Sequence, residues 1–357
     1  MAPATAAADT LLPIELIQEI LLRLPVKLLL QLRCVCKSWK TLISDPQFAK
    51  NQLRRSPPAT HLILSFTSLS EKVTLRTYPL RSVFNAVTVT PTVLSSPLRN
   101  QNGFDSVVGS CGGIICFAVE QSPGFLVLWN PTIAKFNTLP PLREYDLSDL
   151  VCGFGYDSAT HTYKVVAVYS FQRDSVCETE ANVLALGTNM WRTIHDFPSV
   201  FLLPESGKFV GGSLNWLASG AASCSRVIVS LDLGNELCEE VPQPDYGGVH
   251  VVTVTLGVLR DCLCLLSHGN TSLDVWLMGE YGSKESWDRL FSFYVEEPGY
   301  FPYTKMLCHS EDDQVLFEFS SDLVVYDPMD RAFTILQNID EYMTSEVYVE
   351  SLLSPCP

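Results

Sequence analysis

The chain has 357 residues, 47% hydrophobic and 18% charged, a balance that supports a large packed core and excludes a disordered polypeptide. Its net charge of −15 is uneven: residues 1–55 carry eight Lys/Arg against four Asp/Glu (+4), leaving sixteen against thirty-five (−19) for the rest. Such an acidic body disfavours nucleic acid or an anionic membrane surface as the main partner, since both reward clustered cations, and points to protein partners.

The first ten residues, MAPATAAADT, have neither the basic region nor the apolar segment of a secretory signal and are expected to be disordered. The Leu-rich run 20–32 is interrupted by Arg23, Pro25, Lys27 and Gln31, so no membrane span is expected. A cytoplasmic or nuclear location is the expectation. The twelve cysteines then read as reduced thiols, not a disulfide framework. The Cys34/Cys36 and Cys262/Cys264 pairs lack a second Cys/His pair at ligand spacing, so neither metal nor cofactor is expected.

Residues 11–48 read as short helices. Ile14, Ile17, Leu21 and Leu24 recur at steps of three, four and three, with Glu15, Gln18, Glu19 and Arg23 between them. Pro13 suits a first turn, Glu19 and Arg23 form an i,i+4 pair, and Pro25 ends the helix before a second one over 26–32. A third carries Val35, Trp39, Leu42 and Ile43 on one stripe, and Asp45-Pro46 is an N-cap and first position for a last turn holding Phe48. So small a helical unit exposes more apolar surface than it can bury alone, which calls for a partner or for a seat on the following domain.

Residues 49–60 read as a linker, after which short β-branched and aromatic runs take over: 61–66, 73–78, 107–119, 125–129, 164–171, 227–231 and 323–326. An all-β domain over 61–357 follows, with no long amphipathic helix. A recurrent turn closes apolar runs with Asn or Asp, at Asn130, Asp157, Asp232 and Asp327, and an apolar residue returns six positions on at Phe136, Tyr163 and Phe333. Leu139-Pro140 and Val241-Pro242 then mark exits. The Gly109–Gly113 and Gly211–Trp216 stretches give bends or close backbone approach, not phosphate loops, because no Lys-Ser/Thr and helix follow. About six units of roughly 40–50 residues match propeller blades, so a kelch-like β-propeller is expected, with a distorted β-sandwich as the alternative. The terminal run 346–353 alternates and is expected to close the ring near His61–Phe66.

The run Leu12-Pro13-x-Glu15-Leu16-Ile17-x-Glu19-Ile20-Leu21-Leu22-Arg23-Leu24-Pro25, continued by Leu32-Arg33-Cys34-Val35-Cys36-Lys37-Ser38-Trp39, closely resembles the F-box of plant F-box proteins. Leu28 and Leu32 depart mildly from the usual pattern. Trp129-Asn130-Pro131, Gly153–Asp157 with Tyr163–Val166, Trp191-Arg192, Gly211–Trp216 and Trp287 resemble the F-box-associated, kelch-like domain of the same family. The resemblance implies a substrate-receiving subunit of a Skp-cullin-F-box ubiquitin ligase. The F-box would bind a Skp-type adaptor, and through it cullin and a RING protein, while the β domain captures a protein substrate. It also implies an adaptor-facing set of Leu12, Pro13, Ile17, Ile20, Leu24, Val35, Cys36 and Trp39, some of which build the motif's own core instead. The alternatives are a scaffold that binds the adaptor without assembling a ligase, and a propeller hydrolase. The six histidines, His61, His161, His195, His250, His268 and His309, fall in no metalloprotease or nucleophile-elbow pattern, and Glu311–Asp313 reads as a solvated loop. A non-catalytic chain is expected.

Overall fold

The computed structural model describes residues 13–356 except 57–58, 68–72, 86–90, 95–105, 120–123, 143–149, 175, 220–225, 295–303, 321, 337–338, 340–341 and 343. The N-terminal ten residues and Leu12 lie outside the described residues.

Four helices open the chain: α1 (Ile14–Leu21), α2 (Val26–Leu32), α3 (Lys37–Ile43) and α4 (Pro46–Arg55). Pro13 and Pro25 precede α1 and α2, where a missing N–H costs nothing. Asp45 caps α4 by accepting the N–H of Phe48 at 2.9 Å. That helix continues to Arg55, through half of the stretch expected to be a linker, because Ala49 and Gln52 are buried on its inner face. Glu19 is not committed to Arg23: both of its carboxylate oxygens accept from the Arg55 guanidinium at 2.6 Å, tying α1 to α4.

The rest is a six-bladed ring. Its strands, in chain order, are β1 (Thr60–Thr67), β2 (Val73–Pro79), β3 (Thr92–Leu94), β4 (Ser106–Cys111), β5 (Ile114–Val119), β6 (Phe125–Asn130), β7 (Lys135–Thr138), β8 (Leu150–Asp157), β9 (Thr162–Arg173), β10 (Val176–Ala185), β11 (Arg192–Ile194), β12 (Phe201–Leu202), β13 (Lys208–Val210), β14 (Ser213–Ser219), β15 (Arg226–Asp232) and β16 (Cys238–Val241). They continue as β17 (Thr253–Leu259), β18 (Cys262–His268), β19 (Ser272–Met278), β20 (Trp287–Tyr294), β21 (Thr304–His309), β22 (Val315–Phe319), β23 (Asp322–Asp327), β24 (Ala332–Ile335) and β25 (Thr344–Val349). A short helix, α5 (Leu80–Phe84), follows β2.

Blade 1 is β25-β1-β2-β3, so the C-terminal strand supplies the innermost position of the first blade, with His61 opposite Tyr348. The expected closure by the terminal run is therefore present. Blades 2, 3, 5 and 6 are meanders of four consecutive strands, while in blade 4 the inner strand is broken into β12 and β13, both paired to β14. The 107–119 run is two strands: Gly112 and Gly113, both at positive φ, make the tight turn between β4 and β5. Gly211-Gly212 and Arg260-Asp261 turn the same corner in blades 4 and 5, again at positive φ.

Alternation builds the core. In β5, Ile114, Cys116 and Ala118 face blade 3 while Ile115, Phe117 and Val119 face blade 1, so all six are buried. Six clusters of buried side chains occupy the six blade-to-blade interfaces. The outermost strands β7 and β24 are largely exposed. The recurrent Asx turns are real: Asn130, Asp232 and Asp327 accept backbone N–H groups two or three residues on, between the third and fourth strands of blades 2, 4 and 6. Asp157 makes the same turn two hairpins earlier in its blade, between the first and second strands β8 and β9, so the repeat drifts in phase.

Candidate functional site: the exposed face of the helical motif

The helices sit on the propeller face formed by the turns after the innermost strands. Leu21, Leu22, Val26, Leu29, Ile43, Phe48 and Ala49 join one cluster with Ile114, Cys116, Leu128, Tyr163 and the C-terminal Leu352 and Leu353. Helical motif and ring thus share a core.

The C-terminal segment is the wedge between them. Asn130, fully buried, donates its amide N–H to the carbonyls of Ser351 at 3.1 Å and Leu353 at 2.8 Å while its oxygen closes its own turn. Gly113 makes room for this segment: a Cβ there would lie 2.4 Å from Ser351 Oγ and 2.6 Å from the Val349 carbonyl, and φ is +81°.

With its inner side committed, the motif leaves an apolar outer face. Ile14 (51%), Leu16 (51%), Ile20 (52%), Leu28 (39%) and Val35 (62%) are exposed, and Pro13 and Cys36 are exposed beside them. Ile17, Leu24 and Trp39 instead pack, half-buried, against the shared core. Exposed Arg23, Lys27, Lys37 and Lys40 make the surroundings basic. Ile14, Leu16 and Leu28 were not in the sequence-derived set. Their signal is the unusual apolar character of positions that a helix of this length cannot turn inward.

The Cys36 thiol is held below its ordinary range, first by the Ser38 hydroxyl at 3.1 Å and then by the backbone N–H of Trp39, burial opposing weakly. In contrast, burial pushes the Cys111 and Cys152 thiols up to about 12. Among the described residues no group of three or more His, Cys, Asp or Glu is placed to hold a metal ion.

Comparison with known proteins agrees with this architecture. The F-box domain matches residues 10–51, and the F-box associated beta propeller domain matches residues 65–354. The chain belongs to the plant F-box proteins that carry an F-box-associated β-propeller. The Arabidopsis thaliana F-box/kelch-repeat protein At3g23880 is 34% identical over 96% of this chain and 96% of its own length. The Arabidopsis F-box protein CPR1 is 29% identical over 97% and 89%. Among solved structures, TolB from Acinetobacter baumannii is similar at a TM-score of 0.48 and 10% identity, covering 82% of this chain and 66% of that one, too remote to bear on function. An F-box domain implies, in general, binding of a Skp-type adaptor.

Proposed function

We propose that this chain is the non-catalytic substrate receptor of a Skp-cullin-F-box ubiquitin ligase, acting in the cytoplasm or nucleus. The observation that carries this reading is the exposed apolar face of Ile14, Leu16, Ile20, Leu28 and Val35 on a motif whose opposite side is built into the propeller core. A face of that kind marks a protein contact. The adaptor-facing set is then Leu12, Pro13, Ile14, Leu16, Ile20, Leu28, Val35 and Cys36, with Ile17, Leu24 and Trp39 supporting it from behind.

A shared core gives the arrangement its use. The adaptor, and cullin with its RING protein beyond it, is held at a fixed attitude to the propeller, which presents a client to the ubiquitin-transfer machinery. The basic rim around the apolar face suits an acidic adaptor edge and speeds encounter.

The test is co-purification of tagged full-length chain with adaptor and with cullin. Recovery of both supports the receptor. Recovery of adaptor without cullin supports a scaffold that assembles no ligase, and recovery of neither refutes the reading.

A further inference from the structure

A cavity of about 740 Å³ lies in the seam between the helical motif and the propeller. The helical wall includes Val26 at the start of α2 and Ser56 at the end of α4, and blade 1 supplies Leu80 and Phe84 of α5. The turns β17–β18 and β21–β22 complete it from blades 5 and 6. Its volume falls inside the range of about 300–1,000 Å³ that small-molecule sites occupy.

Three polar side chains of the wall have unused hydrogen-bonding capacity. Ser56 is 7% exposed, and its hydroxyl has no partner among the described residues. Gln52 is 2% exposed; its amide nitrogen donates to the Leu24 carbonyl at 3.2 Å, which fixes the amide's orientation and leaves Oε1 unpaired and shut off from water. His61 uses Nε2 toward Glu350 at 3.1 Å, and its Nδ1 is likewise unpaired and shut off. Water does not reach those two atoms, so an occupant meets them only where the Gln52 amide gives up Leu24 or the His61 ring turns from Glu350, whereas the Ser56 hydroxyl needs no such exchange.

Charge decides the ligand class. Arg260 is paired with Asp313, and Arg81 lies 3.9 Å from Glu311, at the rim. Asp261 and Asp312, also lining the cavity, are exposed and repel anions. Inside, burial first and the nearby Arg260 second lower the His309 pKa, against the opposing Asp313 and Asp261 carboxylates. The interior therefore offers apolar contact, neutral hydrogen-bonding groups and one carboxylate, Glu350, already engaged by His61 at 3.1 Å, which adds to the barrier against anions.

We propose that the seam cavity binds an uncharged organic molecule that carries hydroxyl groups on an apolar ring body. Such a ligand touches the helical motif and three blades at once, so its binding strengthens the seat of the motif on the ring. The exposed face of Ile20 and Val35 is not involved.

The test is calorimetry and thermal denaturation of the full-length chain with uncharged phenolic alcohols, namely 4-hydroxybenzyl alcohol, coniferyl alcohol and catechin. The anionic counterparts 4-hydroxybenzoate and ferulate serve as controls. Expected is saturable binding of at least one uncharged compound, one molecule per chain, with a rise in thermal midpoint. Anionic counterparts bind at least about tenfold more weakly. Ala59→Trp, at an exposed position that lines the mouth, and Ser56→Ala, which removes one buried atom, each weaken binding by at least about tenfold. If Ala59→Trp perturbs folding, Ser56→Ala carries the comparison. No saturable binding by any uncharged compound, equal binding by the anions, or affinity unchanged in Ser56→Ala overturns the proposal.

Discussion

Trp191 donates its indole N–H to the carbonyl of Pro140 at 2.8 Å, and this bond fastens the outer part of blade 3 to the exit of blade 2. Trp287 repeats it on the Pro242 carbonyl, also at 2.8 Å, between blades 5 and 4. The Pro exits noticed in the sequence and the scattered tryptophans are therefore two halves of one inter-blade fastening. Trp287→Phe keeps most of the buried ring but loses the bond, an expected cost of about 0.5–1.5 kcal/mol in chemical denaturation. Trp287→Ala also empties the site and costs about 3–5 kcal/mol. Equal effects would show that the bond contributes nothing.

A buried ion network holds blades 3 and 4. Lys164 Nζ lies 3.0 Å from Asp157 and 3.2 Å from Glu236, and donates to the Leu233 carbonyl at 2.5 Å. Burial acts to raise the Asp157 pKa. The Thr160 hydroxyl, the Lys164 ammonium and the Ala159 and Thr160 N–H groups more than offset this, holding it well below the ordinary range. A depressed carboxylate contributes stability that is complete above its unfolded pKa, near about 4, and lost as pH falls below that. The thermal midpoint is therefore expected to drop from about pH 5 downward, and Asp157→Asn, which keeps an oxygen for the turn, to flatten that drop. Lys164→Met strands a buried carboxylate and costs about 3–5 kcal/mol near neutral pH. An acid limb of the same slope in Asp157→Asn would contradict this.

Ring closure and the seating of the helical motif are separable by truncation. Ending the chain after Val349 keeps β25 but removes Leu352 and Leu353 from the shared core. Leu→Ala losses at such sites run about 2–5 kcal/mol each. Protease cleavage within residues 13–55 is expected to rise sharply in that variant. Ending it before Thr344 removes the inner strand of blade 1 and is expected to yield insoluble protein. Equal protease resistance in the first variant would show that the motif does not depend on the tail.

Cys36 is expected to be alkylated by iodoacetamide faster than an ordinary thiol at pH 7, because a lowered pKa enlarges the thiolate fraction there. The rate should rise with pH and level off below the ordinary thiol value. Buried Cys116 and Cys264, pushed up by burial, should stay unmodified in the folded chain. Mass spectrometry of the modified peptides decides it. Modification of Cys36 at the rate of a model thiol would contradict the Ser38 effect.

Blade number, the Asx turns and ring closure were legible in the sequence because they are local or periodic: alternation in 346–350, and an Asn or Asp closing four of the apolar runs, at Asn130, Asp157, Asp232 and Asp327. The side of each helix that meets solvent was not. The stripe Ile14, Ile17, Leu21, Leu24 is a face by spacing, yet the structure buries Leu21, half-buries Ile17 and Leu24 and exposes Ile14. Spacing reports a face without saying what covers it. What covers it here is Leu352 and Leu353, some 300 residues away in sequence, together with blades 2 and 3. For the same reason Trp39, which spacing places on one stripe with Val35, Leu42 and Ile43, is only half-buried while Val35 is exposed and Ile43 buried, and truncating it should cost less than the about 3–5 kcal/mol of a fully buried Trp.

The most direct measurement is the affinity of the full-length chain for a purified Skp-type adaptor, in wild type and in an Ile20→Asp, Val35→Asp double variant. Both positions are exposed, so folding stability should change by only about 0.5 kcal/mol per site. Affinity should fall by about 2 kcal/mol or more, roughly thirtyfold, because charges would enter the apolar centre of the interface. Unchanged adaptor affinity in a variant that retains the wild-type thermal midpoint would contradict the assignment of this face.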